Sequence, residues 1–122
     1  MLSEYQLSVL FLDDVRIFLI FALLISIAYF YASKSILASL HGMLIIAAFL
    51  YAAIVSGHTD YGISAEYYWP LNILLLLALA SAVYSIREFP GKRWVHLSHL
   101  GTCLSGVMIW FVGAMAISHD WI

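Results

Sequence analysis

Four stretches of this chain are free of carboxylates, lysine and arginine, and that pattern constrains its fold more than any other feature. They lie between Arg16 and Lys34, Lys34 and Asp60, Glu66 and Arg87, and Arg93 and Asp120. A helix rises 1.5 Å per residue, so roughly 20 apolar residues cross the hydrocarbon core of a bilayer. Each stretch is long enough for one crossing. An open sheet cannot satisfy its backbone in lipid, so the crossings are helices. The chain is therefore expected to be an all-α integral membrane protein. Its four transmembrane helices, near 15–33, 35–56, 68–86 and 94–118, should form an antiparallel up-down bundle.

Composition agrees, since 65% of the 122 residues are apolar and 10% are charged, which is far from the balance of a soluble domain. Four spans fill 1–122 as a single membrane domain, with no length left for a soluble or nucleotide-binding fold. Five Lys and Arg against seven Asp and Glu give a net charge of −2, which provides no basic footprint for nucleic acid. Cys103 is the single cysteine, so no internal disulfide forms. Residues 1–4 carry no basic region of a cleavable signal, and the first span is expected to be retained.

Basic residues set the orientation. Four of the five lie around Lys34 and in the segment 87–93, so the loops at 33–35 and 87–93 are expected to be cytoplasmic. The segments carrying Glu4, Asp13, Asp14, Asp60, Glu66 and Asp120 then face outward, with both termini outside a cytoplasmic (inner) membrane. Arg16 opposes this bias, but at a span boundary it can snorkel or pair with Asp13. Tyr67, Tyr68, Trp69, Trp94 and Trp121 fall at span borders, where aromatic rings anchor helices.

Residues 1–14 admit two readings. Leu2, Tyr5, Val9 and Leu12 share a helical face, which suits an outer interfacial helix. Leu7, Leu10 and Phe11 fall elsewhere on the wheel, which suits a simple extension of the first span. A shift of 55 residues superposes Ser26 on Ser81, Tyr29 on Tyr84 and His41 on His96, the trace of two similar helical hairpins. Small residues mark close helix approach. They place Ala22 and Ser26 on the inner face of the first span, and Ala38, His41, Ala48 and Ala52 on that of the second. Ala78, Ser81, Ala82 and Ser85 do so on the third, and His99, Cys103, Gly106, Trp110 and Gly113 on the fourth.

Chemistry, if any, rests on the histidines. His41 lies six residues past Ser35 and His99 five past Trp94, which puts both roughly 8 to 9 Å below the cytoplasmic boundary. His96 is one turn shallower than His99, and Arg87, Lys92 and Arg93 adjoin. Two level imidazoles suit a b-type haem, with basic residues near the propionates, or a proton relay, set against histidines that only hydrogen-bond to neighbouring helices or face the headgroups. Three suit a transition metal. His58 and His119 follow the same two spans, a placement that resembles dihaem membrane cytochromes b. The spacing departs from that family, because His41 to His58 and His99 to His119 are 17 and 20 residues. A stacked haem pair in the family is separated by about four helical turns.

At the outer ends, His58, His119, Asp60 and Asp120 form a candidate site for zinc or copper(II), set against a plain acidic rim. No carboxylate lies inside a span, which argues against proton-coupled export. No HExxH, CxxC, nucleophile elbow or phosphate loop occurs, so activity by the chain alone is not expected. Asn72 is expected to bond an adjacent helix. The leading expectation is a non-catalytic accessory subunit or protective, immunity-type module. It would pack against the lipid bilayer and another integral membrane protein or itself. The alternatives are a haem or metal electron-transfer protein, and a metal or ion carrier.

Overall fold

The computed structural model describes residues 2–33, 36–59, 65–89, 91 and 93–120, and nearly all of these are helical. A short helix α1 (Glu4–Leu10) precedes four long ones: α2 (Asp13–Ser33), α3 (Ile36–Val55), α4 (Tyr68–Glu88) and α5 (Arg93–Ser118). Single 3₁₀ turns at Ser56–His58 and Ala65–Tyr67 end α3 and lead into α4. The four long helices start and stop within two residues of the expected spans and are long and apolar enough to cross a membrane.

Residues 2–12 are not an extension of α2. Ser3 caps α1 reciprocally, its hydroxyl accepting from Gln6 N (3.2 Å) while Gln6 Oε1 accepts from Ser3 N (2.7 Å). The helix stops at Phe11, and α2 restarts at Asp13, whose carboxylate pairs with Arg16 at 3.1 Å. The buried face of α1 is Gln6 and Val9, with Tyr5 beside them, whereas Leu2, Leu7 and Phe11 are exposed. Gln6 reaches across to donate to the carbonyl of Ile54, and Tyr5 OH donates to the Ala116 carbonyl at 3.0 Å. These bonds moor α1 to the C-terminal ends of α3 and α5.

Helix α3 is the centre of the assembly and packs on α2, α4 and α5. Ile45, Ala48, Phe49 and Ala52 of α3 meet Ile109, Val112 and Ala116 of α5, with Leu71 and Ala78 of α4 closing the core. Small residues allow this approach, as expected for helices that associate without a hydrophobic drive. At Gly42 the approach is closest: a Cβ there would land on the Ala22 carbonyl and the Ser26 hydroxyl of α2. Outward faces carry Ile17, Ile20, Leu76, Leu97, Leu104 and Val107, all exposed and apolar.

The expected faces of α2, α3 and α4 are buried at Ala22, Ser26, His41, Ala48, Ala52, Ala78, Ser81, Ala82 and Ser85, while the side chain of Ala38 lies outside the described residues. That of α5 holds at His99, which meets His41, and at Gly113, which is buried against Ala52 and Leu71. Between them the buried line is rotated to Thr102, Ser105 and Ile109, while Cys103 and Trp110 are exposed. Gly106 would meet nothing within 4 Å if given a Cβ, so it opens a groove instead of marking a contact. The 55-residue correspondence is also uneven, since Tyr29 is fully buried and its counterpart Tyr84 is exposed.

Candidate functional site

Polar side chains gather where the C-terminal ends of α2 and α4 meet the N-terminal ends of α3 and α5. His41 and Tyr29 are both fully buried there, and Ser85 is buried beside them. The two histidines placed at equal depth by helix rise do meet: their ring centroids are 5.9 Å apart and nearly parallel, at 22°. Tyr29 stands edge-on to both, 5.0 Å from His41 and 5.9 Å from His99. Phe89, at the end of α4, and Trp94, in the first turn of α5, each 5.6 Å from the Tyr29 ring, cover the cluster.

Hydrogen bonding orients the His99 ring. Its Nε2 bonds the Ala82 carbonyl and lies 2.7 Å from Ser85 Oγ. A carbonyl only accepts, so in the neutral ring Nε2 carries the proton and Nδ1 is the acceptor. Ser85 in turn donates to the same Ala82 carbonyl at 2.6 Å. Nδ1 faces Tyr29 OH at 3.4 Å, and that hydroxyl lies 2.5 Å from Ser98 Oγ. One connected network thus joins α2, α4 and α5 around His41 of α3.

Neighbouring hydroxyls tie the same region together. Ser26 donates to the Ser39 carbonyl and accepts from Met43 N at 3.1 Å, joining α2 to α3. Ser81 donates to the Leu37 carbonyl at 2.5 Å, joining α4 to α3. Inside a membrane the alternative to such a bond is an unmet polar group in hydrocarbon, which makes each one a positional constraint.

The arrangement suits bracing better than ligation. An iron or zinc ligand must present an unprotonated nitrogen; in neutral His99 that nitrogen is Nδ1, which faces Tyr29 OH, while Nε2 holds its proton against a carbonyl. A porphyrin between His41 and His99 would have to displace the Tyr29 ring. The side chain of His96 lies outside the described residues. Among the described residues no three His, Cys, Asp or Glu side chains come together as a metal site.

At the opposite end, His58 is exposed in its 3₁₀ turn, Asp120 is exposed, and Asp60 lies outside the described residues. His119, in the left-handed conformation (φ 58°), stacks on Tyr5 at 4.2 Å, with its Nε2 2.8 Å from the Ser56 carbonyl. Thr59 donates to the Ile117 carbonyl at 2.6 Å. His119 is thus a clasp for α1, α3 and α5. Between the two polar ends lies an apolar core that includes Ile45, Ala48, Phe49 and Ile109.

Tyr29, Ser85 and Ser98 belong to the histidine cluster, yet none stands out as a site residue in the sequence. A signal exists for two of them, because Ser85 lies on the small-residue face of α4 and Tyr29 lies within a charge-free stretch near the depth of His41. Ser98 gives none, since its role depends on how α5 is rotated. No protein-family model, curated protein or solved structure matches this chain.

Proposed function

We propose that the chain is a multi-pass protein of the cytoplasmic membrane whose four long helices alternate in direction. Both termini lie outside, and the loops at 33–35 and 87–93 lie inside. It acts as a non-catalytic module, an accessory subunit or immunity-type protein, that packs against another integral membrane protein or a second copy of itself. The observation that carries this reading is the histidine cluster. Tyr29, Ser85, Ser98 and His99 bond one another across α2, α4 and α5 around the buried His41 ring of α3, while the helix exteriors remain apolar. A bundle with polar groups turned inward presents its outer faces to lipid and to other helices.

The test is photo-crosslinking in living cells, with a crosslinkable residue placed in turn at Leu24, Ile73 and Leu104, each on an outward face. The expected result is a discrete protein adduct from one face. Lipid adducts alone from every face would overturn the reading.

A b-type haem or metal site at His41 and His99 is the second reading. The 5.9 Å approach of the two rings favours it. The bonds from His99 to Ala82 and Ser85 weigh against it. Absorption spectra decide between the two.

A further inference from the structure

Arg87 lies in the last turn of α4 and Arg93 begins α5, and both residues are exposed at the same end of the bundle. Neither makes an ion pair among the described residues, whereas Arg16 at the opposite end is held by Asp13 at 3.1 Å. The far end of the α4–α5 seam also differs, because polar groups meet each other there: Trp110 Nε1 donates to Asn72 Oδ1 at 3.0 Å.

Each of the two arginines heads an outward apolar stripe. Residues three and four apart share a helix face, so Val83, Leu79 and Leu76 run along α4 from Arg87. In the same way Leu97, Leu100 and Leu104 run along α5 from Arg93. All six apolar residues are more than half exposed.

A guanidinium at the head of a lipid-facing stripe matches a phosphate that carries an acyl chain. The planar guanidinium binds phosphate oxygens in pairs, and the stripe takes the chain. A free phosphate would leave the stripes unused. A partner helix would meet one face, but the same construction stands on two helices, which suits a small ligand present in many copies. Neighbouring charge selects the headgroup. The segment 87–93 carries Arg87, Lys92 and Arg93 against Glu88 alone. An ammonium headgroup would bring another cation to this basic border, while a glycerol headgroup leaves the phosphate as its only charge.

We infer that this end of the bundle binds anionic phospholipid of the phosphatidylglycerol class, with a phosphate on Arg87 and another on Arg93 and an acyl chain along the stripe of each. This rests on the bilayer reading above.

The test is native mass spectrometry of the detergent-purified protein after exchange with dioleoyl phosphatidylglycerol or dioleoyl phosphatidylethanolamine. Phosphatidylglycerol should be retained roughly tenfold or more over phosphatidylethanolamine, and the double variant Arg87→Gln, Arg93→Gln should lose that preference. Arg16→Gln, at the other end, should keep it. Excess inorganic phosphate should not displace the lipid, and Leu97→Ser with Leu100→Ser should weaken retention while both arginines remain. Equal retention of the two lipids, a preference unchanged by the double variant or lost with Arg16→Gln, displacement by phosphate, or full retention in the serine variant would each overturn the site. A protein partner released by the double variant, with lipid retention unchanged, would assign the arginines to that partner and overturn it too. Alkaline carbonate extraction separates the premises. A chain released by carbonate would refute the bilayer reading itself, whereas a chain that stays in the membrane without a lipid preference refutes only the site.

Discussion

The Ser85 hydroxyl lies 2.7 Å from Nε2 of His99, and both groups converge on the carbonyl of Ala82. This relationship locks the C-terminal part of α4 to the N-terminal part of α5. It also assigns the His99 proton, so the ring's hydrogen-bonding capacity is used in holding helices together.

A double-mutant cycle measures that lock. Ser85→Ala and His99→Leu should each lower the unfolding free energy in micelles, and the double variant should lose less than the sum. The expected coupling is about 0.6 to 1.7 kcal/mol, the range of polar pairs within membrane bundles. A coupling of zero would mean that the two groups do not sense each other.

Ser105 gives the opposite expectation. Its hydroxyl is buried and has no hydrogen-bond partner among the described residues. Leaving such a group unmet costs about 1 to 3 kcal/mol, so Ser105→Ala should hold or raise the midpoint of thermal unfolding. A clear fall would reveal a bond made by that hydroxyl.

Glycine substitutions test the packing directly. Gly42→Ala forces a methyl onto the Ala22 carbonyl and should cost about 1 to 3 kcal/mol by parting α2 from α3. Gly106→Ala meets open space and should be neutral or stabilising, since alanine is the better helix former. Equal losses at the two sites would contradict the rotation of α5 described above.

Much of this is legible in the sequence. Charge-free length marks out the four long helices, because in hydrocarbon the number of consecutive apolar residues outweighs every other local preference. Helix rise alone puts His41 and His99 level, and the positions of Arg16 and Asn72 point to their bonds with Asp13 and with a neighbouring helix. The rotation of α5 is not legible, because Cys103, Gly106 and Trp110 look like an inner face while the groove beside α4 leaves them outward. Gln6 gives no signal either, because a polar residue on α1 reads as solvent-facing until the Ile54 carbonyl is placed beside it.

That Gln6 bond carries its own prediction. Gln6→Ala removes both the Ile54 tether and half of the Ser3 cap, so hydrogen exchange across Glu4–Leu10 should quicken at least several-fold, while α3 and α5 keep their protection. Unchanged exchange would mean that Tyr5 and His119 hold α1 without it.

The most direct test of the bracing role is an absorption spectrum of the protein purified from cells supplied with haem and metals. It is recorded oxidised and then dithionite-reduced, with metal analysis on the same sample. Bracing histidines should give a colourless, metal-free protein whose His41→Ala and His99→Ala variants lose stability and no absorbance. A Soret band with sharp reduced α-bands that disappears in both variants would refute the bracing role and make the histidine pair a haem site.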